Sequence, residues 1–295
     1  MSTDAVPIEP LDAALAAAQV RAALQEDAAG SDATVAFLDV GDAPTRAEIR
    51  VAGATVVCGV DVAREVFRQV DARIRFDTAT RDGAHLDAGG CLCSLAGPAR
   101  ALLSGERTAL NFLQRLCGVA TQAARFVDAV RGTGVVILDT RKTTPLWRDL
   151  EKYAVRCGGA RNHRRDLGAM ILVKDNHVRA MGGRAAALAK IASSPKAPFV
   201  EVEVDSLEFL RELLSSPAAA RVDRVMLDNF TPERVGEALA VVDRYRAAGA
   251  ALEVEVSGGI TLDTVRAFAC PGVDYISVGA LTHSATAASM SLEFV

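Results

Sequence analysis

The feature that most constrains the fold is a strand-like segment that recurs six times in the second half of the chain. Each copy ends on a charged residue, a hydroxyl or a glycine. The copies are VVILDTRK (135–142), MILVKD (170–175), FVEVEV (199–204), RVMLDN (224–229), LEVEVSGG (252–259) and DYISVGA (274–280). Helix-like stretches separate most of them, and alternation of strand and helix is typical of a parallel β/α barrel. Because such barrels build their active sites at the carboxyl ends of the strands, these end residues should carry the function.

Composition and charge narrow the class of protein. Of the 295 residues, 50% are hydrophobic and 24% are charged, which suits a globular chain of one large or two modest domains. The net charge of −4 provides no broad basic field, so nucleic acid is not an expected partner. No apolar run approaches the roughly 20 residues that cross a bilayer, so no membrane association is expected. The first residues, MSTDAVPIEPLDAALAAAQV, lack a basic stretch, so we expect no signal peptide and a cytoplasmic protein.

The six cysteines do not have the spacing of a zinc site. Only Cys91 and Cys93 are close in sequence, as C-x-C within an apolar stretch. In a reducing compartment we expect them to serve as small buried side chains.

The first part of the chain has a different pattern. Residues 11–28 predict an amphipathic helix, and residues 46–97 contain four short β-like runs with a helix-like stretch at 63–70. Ser104 is predicted to cap a long helix over 106–132 that ends at Gly132. These signals predict a small sheet with helices ahead of the barrel.

Two loops concentrate cations and hydroxyls. DTRKTTP (139–145) places Arg141 and Lys142 directly after an apolar strand, with threonine hydroxyls beside them. GGARNHRRD (158–166) places His163 next to Arg164 before the next strand. Such groups bind anions, and few solvated turns concentrate so many donors behind an apolar strand.

Lys174 stands at the end of the strand-like MILVKD. A desolvated lysine there could form a Schiff base, whereas a charged one would bind phosphate or carboxylate. The neighbouring cations favour anion binding. His177 could instead mark a helix start or support the site from behind.

Acidic residues follow two further strands. In EVEV (201–204), Glu201 and Glu203 should share one face of the strand and the valines the other. Asp228 ends the next strand. Acids facing cations at neighbouring strand ends suit a Mg²⁺–polyphosphate ligand, although exposed acids without a ligand are the alternative.

The last two strands end in small residues, SGGI (257–260) and SVGA (277–280). Small residues there let backbone N–H groups approach a phosphate. The expected ligand therefore carries a phosphate, a metal-bridged polyanion and carboxylates. The sequence contains no dinucleotide fingerprint, P-loop or HExxH motif.

The motifs that carry this chemistry resemble, in their order, those of the quinolinate phosphoribosyltransferases. They are GERTALNFLQRLCGVAT, LDTRKTTP, LEKYAVRCGGARNHR, LVKDNH, EVEVDSLE, MLDNF, SGGI and DYISVGALTHS. The similarity runs from about residue 20 onward and is dense over 104–284. One departure follows NHR, where RDLGA (165–169) replaces the family's GLYD-like continuation and leaves fine specificity open.

The resemblance implies an α/β fold, with an incomplete, seven-stranded parallel α/β barrel over 119–284. It also implies a smaller N-terminal α/β sandwich domain over 1–118, on which residues 285–295 could pack. The implied reaction joins quinolinate and phosphoribosyl pyrophosphate, with Mg²⁺, to give nicotinate mononucleotide, pyrophosphate and CO₂. A homodimer with shared active sites, or a higher oligomer, is also implied.

The resemblance assigns roles residue by residue. It places Arg107, Arg141, His163 and Arg164 at the quinolinate carboxylates, with Arg107 reaching across a dimer. Thr140 is a further expected substrate-binding residue. Lys142 and Lys174 lie between quinolinate and the sugar, and Glu203 and Asp228 hold the ribose hydroxyls and Mg²⁺; these four are the expected catalytic residues. Ser257, Gly258 and Gly279 bind phosphate, with His283 nearby.

Three alternatives remain open at this point. The chain could transfer phosphoribosyl to another acid, such as nicotinate or an acid of molybdenum metabolism. It could be a Schiff-base aldolase that uses Lys174. It could also bind a phosphorylated metabolite without catalysis.

Overall fold

The computed structural model describes residues 8–295. Residues 1–7, which begin the segment expected to lack a signal peptide and the predicted N-terminal domain, lie outside it. The helices are α1 (Ala13–Glu26), α2 (Ala33–Phe37), α3 (Val60–Val70), α4 (Ala99–Ala129), α5 (Arg148–Cys157), α6 (Asp175–Ala180), α7 (Arg184–Ser193), α8 (Leu207–Ser215), α9 (Pro232–Ala247), α10 (Val265–Phe268) and α11 (Ala280–His283). The strands are β1 (Pro44–Val51), β2 (Thr55–Val56), β3 (Arg75–Asp77), β4 (His85–Leu86), β5 (Cys91–Pro98), β6 (Val136–Leu138), β7 (Ile171–Val173), β8 (Val200–Val204), β9 (Arg224–Asp228), β10 (Glu253–Ser257), β11 (Tyr275–Ser277) and β12 (Met290–Phe294). None of these helices combines the length and apolarity needed to cross a membrane.

The chain divides into two compact units. The first runs to Ala124 and includes Thr143–Ala160 and Leu281–Val295; the second comprises Arg125–Lys142 and Arg161–Ala280. The predicted boundary between two domains, at residues 118 and 119, stays a prediction. The compact units interleave along the chain and need not coincide with domains defined by sequence.

The first unit is built on a four-stranded antiparallel sheet in the order β12–β1–β5–β3. The C-terminal strand pairs with β1, Phe294 opposite Ala47 and Met290 opposite Val51. The predicted short strands and the helix at 63–70 are confirmed as β1, β2, β3, β5 and α3. Cys58, Cys93, Cys117 and Cys157 are buried free thiols, as expected of small core side chains, whereas Cys91 and Cys270 are partly exposed.

The start of the long helix differs from the prediction. Ser104 does not cap α4, which begins five residues earlier at Ala99, directly after β5. Residues 99–103, ARALL, favour helix strongly enough to extend it to the end of the strand. Ser104 lies inside the helix, where its Oγ donates to Asp32 Oδ2 at 3.2 Å. The predicted apolar stripe is confirmed, because Leu110, Leu113 and Leu116 are buried.

The second unit contains a parallel sheet in the order β6–β11–β10–β9–β8–β7. All six recurring segments form its strands, which confirms the incomplete α/β barrel. Among the described residues the sheet has six strands rather than seven. On its other side, β6 forms an isolated parallel bridge between Leu138 and Arg161. Since the strands are parallel, their carboxyl ends meet at one edge of the sheet.

Candidate active site

A cavity of about 490 Å³ opens at the carboxyl ends of the strands of the second unit. It is lined by Thr140, Arg141, Lys142, His163, Arg164, Leu172, Lys174, Glu203, Met226, Asp228, Asn229, Ser257, Gly258, Gly259 and Ser277. The lining thus draws together ten of the thirteen site residues expected from the sequence. Arg107 is exposed on α4, and His283 is exposed at the end of α11 with Nδ1 2.6 Å from Ser284 Oγ. Neither of these residues belongs to the lining, and neither does Gly279.

The cationic wall is formed by Arg141 and Arg164. Burial lowers the pKa of Arg164, and the positive charge of Arg141 lowers it further. Arg141 Nε is buried and has no hydrogen-bond partner among the described residues. Two partly buried guanidinium groups that repel each other, one with an unused donor, favour the binding of an anion between them.

The loop that carries His163 and Arg164 is fixed by Asp139, which is fully buried at the end of β6. Asp139 Oδ1 accepts from the His163 backbone N–H at 2.8 Å, and Oδ2 accepts from Asn162 Nδ2 at 2.7 Å. One carboxylate therefore connects the loop DTRKTTP to the loop GGARNHRRD. It orients the cations of both loops toward the same cavity.

The opposite wall is acidic. Lys174 Nζ lies 2.9 Å from Glu203 Oε2. Burial raises the pKa of Asp228, and the negative charge of Glu203 raises it further, while Lys174 and Lys142 lower it. Two carboxylates close enough to repel each other provide the oxygen ligands that Mg²⁺ takes beside a phosphate, so these residues fit that ion.

The prediction that Glu201 and Glu203 share one face of β8 is confirmed. The valines of the other face are buried, Glu203 reaches the cavity, and Glu201 lies below it with no exposed surface. Burial raises the pKa of Glu201 and of Glu255, and the charge of Glu201 raises that of Glu255 further. His177 is the third residue of α6, and its Nδ1 accepts from the Lys174 backbone N–H at 2.9 Å, so it caps the start of that helix.

The third wall is formed by the SGGI loop after β10. Gly258 has φ +95°, and a Cβ there would come within 2.3 Å of Asn229 Oδ1. Ser277 Oγ donates to Ser257 Oγ at 2.9 Å. Small residues and hydroxyls therefore keep this side open for a phosphate.

Two family models match this chain. The C-terminal domain of quinolinate phosphoribosyl transferase matches residues 119–293, and the N-terminal domain matches residues 32–117. The chain belongs to the quinolinate phosphoribosyltransferase family.

Relatives support this membership over most of the chain. The nicotinate-nucleotide pyrophosphorylase [carboxylating] of Mycobacterium leprae is 43% identical over 81% of this chain and 82% of its own. The human protein of that name is 39% identical over 94% of this chain and 91% of its own. The solved nicotinate-nucleotide pyrophosphorylase of Francisella tularensis superposes with a TM-score of 0.87 at 37% identity, covering 98% and 99% of the two chains.

Residues 165–169, where this chain differs from the pattern of the quinolinate phosphoribosyltransferases, do not line the cavity. None of these five residues belongs to the lining, and Arg165 forms an ion pair with Asp166 at the surface.

Sequence reasoning assigned no individual role to five lining residues, although the last two lie in the predicted phosphate loops: Leu172, Met226, Asn229, Gly259 and Ser277. The period of two along a strand could have found Leu172 and Met226, which lie two positions before Lys174 and Asp228. Asn229 and Gly259 directly follow residues that were singled out. Ser277 ends its own strand, like the other site residues.

Proposed function

We propose that this protein transfers the phosphoribosyl group of phosphoribosyl pyrophosphate to quinolinate and releases CO₂. The products are nicotinate mononucleotide, which feeds NAD synthesis, and pyrophosphate. The observation that carries the proposal is the pairing of a two-arginine wall with an acidic wall in one cavity. The two arginines can each pair with one carboxylate of a dicarboxylate. The two acids can accept hydrogen bonds from the hydroxyls of a sugar that carries pyrophosphate.

Quinolinate binds at the cationic wall. The unused Arg141 Nε and the partly buried Arg164 each receive a carboxylate, and Thr140 adds a hydroxyl beside them. His163 precedes Arg164 in the second loop, and its backbone N–H donates to Asp139 of the first loop at 2.8 Å. Binding two carboxylates at fixed points orients the ring nitrogen toward the sugar.

Glu203 and Asp228 hold the ribose hydroxyls and are the residues that would hold Mg²⁺, which supplies positive charge to the departing pyrophosphate. Lys142 and Lys174 add positive charge on the same side. The bond from the anomeric carbon to pyrophosphate breaks, and the ring-nitrogen lone pair forms the new bond to that carbon. This transfer needs positioning and charge stabilisation rather than a protein nucleophile.

Decarboxylation follows from the charge on the ring. The alkylated nitrogen is positive and withdraws electrons, so the bond between the ring and the adjacent carboxylate breaks toward the ring. CO₂ leaves, and the ring carbon takes a proton. The 5′-phosphate of the sugar lies at the SGGI loop, where Ser257 and Gly258 provide a hydroxyl and open backbone; Gly279 and His283 stay predicted phosphate residues.

A homodimer with shared sites is part of the proposal, in the cytoplasm. Its support is the exposure of Arg107 on α4 together with Arg141 Nε, which has no hydrogen-bond partner within residues 8–295. In a dimer, Arg107 of one subunit would complete the carboxylate pocket of the other.

The alternatives have weaker support. An aldolase needs a free Lys174 amine, but Lys174 Nζ forms an ion pair with Glu203 Oε2 at 2.9 Å. Transfer to a monocarboxylic acid would leave one arginine of the cationic wall without a carboxylate partner. A binding protein without catalysis would not need both lysines beside the acidic wall.

The deciding experiment measures CO₂ and pyrophosphate from quinolinate and phosphoribosyl pyrophosphate, with and without Mg²⁺. We expect equimolar release of both products that depends on quinolinate and on the metal. Nicotinate in place of quinolinate is the control. Faster turnover of nicotinate, or a borohydride-trapped adduct on Lys174, would contradict the proposal.

A further inference from the structure

A cluster of ionisable side chains lies beneath the cavity, on the inner face of the parallel sheet. Barrels usually carry branched apolar residues at such positions. We call His163, Glu201, Glu255 and Arg224 the buried cluster. Both carboxyl side chains have no exposed surface, and the side chain of His163 is only 6% exposed. The function proposed above assigns nothing to Glu201, Glu255 or Arg224.

The hydrogen bonds of the cluster define the state of the His163 ring. Nδ1 accepts from the backbone N–H of Arg164 at 2.7 Å, so this nitrogen carries no hydrogen. The ring hydrogen is therefore on Nε2, which faces Glu201 Oε2 at 3.1 Å and Glu255 Oε2 at 3.5 Å. Both ring nitrogens are thus engaged by the protein, which fixes the tautomer and the ring plane.

Arg224 fixes the carboxylate of Glu255 from below. Its Nη1 lies 3.1 Å from Glu255 Oε2, and its Nη2 lies 2.7 Å from Glu253 Oε2. The guanidinium also stacks over the ring of Tyr275, 4.0 Å from its centroid. These contacts leave Glu255 little freedom to turn away from His163.

Burying this cluster costs folding free energy that apolar side chains in the same place would not cost. Glu201 Oε1 and Glu255 Oε1 are buried and have no hydrogen-bond partner among the described residues. A buried polar atom without a partner costs about 1–3 kcal/mol, and buried ionic groups are often no more stabilising than apolar residues of similar volume. A role in the site accounts for retaining two such carboxyls under one imidazole.

We propose that Glu201 and Glu255 are positioning residues that hold His163 as the neutral Nε2–H tautomer and, through Nδ1, fix the Arg164 backbone beside the quinolinate carboxylate. His163 then contributes orientation rather than positive charge to the pocket. The part of this inference that concerns turnover rests on the proposed function.

The first test is spectroscopic and needs no substrate. The unliganded protein, labelled with ¹⁵N in its four histidines, is measured at pH 7, and the His163 signals are assigned with a His163→Asn variant. We expect a one-bond N–H coupling at Nε2 and none at Nδ1. A hydrogen on Nδ1, or an imidazolium ring, would overturn the proposal.

The second test asks whether Glu201 acts as a hydrogen-bond acceptor for His163 or only fills space beside it. Glu201→Gln keeps an oxygen that can accept from Nε2–H, whereas Glu201→Leu removes it. We expect Glu201→Leu to raise the KM for quinolinate about 10–100-fold, as the loss of a supporting hydrogen bond does elsewhere. The KM for phosphoribosyl pyrophosphate should change little, and Glu201→Gln should stay close to the wild type in both constants. Equal losses in the Gln and Leu variants would refute the role.

Glu237→Leu is the control for exchanging a glutamate for leucine, because Glu237 is exposed on α9 and lies outside the buried cluster. It should leave the His163 tautomer and both KM values unchanged. Circular dichroism verifies folding of each variant; if Glu201→Leu does not fold, the Glu255→Leu and Glu255→Gln pair decides by the same two readouts. Wild-type protein that shows the predicted tautomer but does not use quinolinate would refute the proposed function and leave the tautomer assignment standing.

Discussion

Lys174 lies between the two proposed substrates and donates to Glu203, next to Asp228. Replacement by methionine keeps the length of the side chain but leaves two carboxylates without this cation. We expect Lys174→Met to lower kcat about 100-fold or more, as the loss of one preorganised charge partner does in other enzymes. Initial rates with both substrates at saturation check this, and Lys190→Met on exposed α7 is the control. A Lys174→Met enzyme within threefold of the wild type would remove Lys174 from the reaction.

Gly258 and Gly259 offer a paired test of the phosphate loop. At Gly258, alanine meets both a positive φ and Asn229 Oδ1 at 2.3 Å; at Gly259, φ is +63° with open space around it. We expect Gly258→Ala to lower the free energy of unfolding by about 2–4 kcal/mol, from strain and overpacking together. Gly259→Ala should cost about 1–2 kcal/mol, from the left-handed backbone alone. Urea unfolding of both variants measures the difference, and equal losses would contradict the steric argument.

At the scale of elements, the start of α3 depends on a residue that is distant in sequence. Asp82 accepts from the backbone N–H groups of Gly59 and Val60 at 3.0 and 3.1 Å, and from the Tyr153 hydroxyl at 2.7 Å. We expect Asp82→Ala to lower the free energy of unfolding by about 2 kcal/mol, because two N–H groups of the helix start and one hydroxyl lose their acceptor. Asp61→Ala, an exposed change in the first turn of the same helix, is the control for charge and should have little effect. A loss no larger than that of Asp61→Ala in chemical unfolding would show that Asp82 does not cap the helix.

Strands and helices were predicted well where neighbouring residues in the sequence determine them. The six strand ends of the barrel follow from apolar runs and polar stops, and the cations and acids at those ends do line one cavity. The start of α4 was wrong because a serine inside a helix resembles a cap when the preceding strand is ignored. Asp139 and Glu255 were not recognised, because their partners come from loops and strands far along the chain. The register of β8, β9 and β10 places Arg224 opposite Glu201 and Glu253, which the sequence alone does not reveal.

At the scale of the whole molecule, the proposed sharing of sites can be tested by mixing inactive variants. Arg107→Ala keeps its own Lys142, and Lys142→Ala keeps its own Arg107. If Arg107 works across a dimer, free exchange restores one intact site in each mixed dimer, which gives about a quarter of wild-type activity. An activity assay after subunit exchange measures this.

The control for that experiment is a mixture of Lys142→Ala and Lys174→Ala. Both lysines line the cavity of one chain, so no combination of subunits restores a site and the mixture should stay inactive. Recovery in this control, or none with Arg107→Ala despite demonstrated exchange, would argue against a shared site.

The pairing of β12 with β1 affects how the chain folds while the ribosome synthesises it. The sheet of the first unit has β1 between β5 and β12, and β12 is made only after every strand of the parallel sheet. Until then β1 has an open edge, and pairings between distant segments form slowly. β1 therefore lacks one of its two neighbours until the last strand is made, so a nascent chain arrested before β12 should expose β1 to chaperones and proteases.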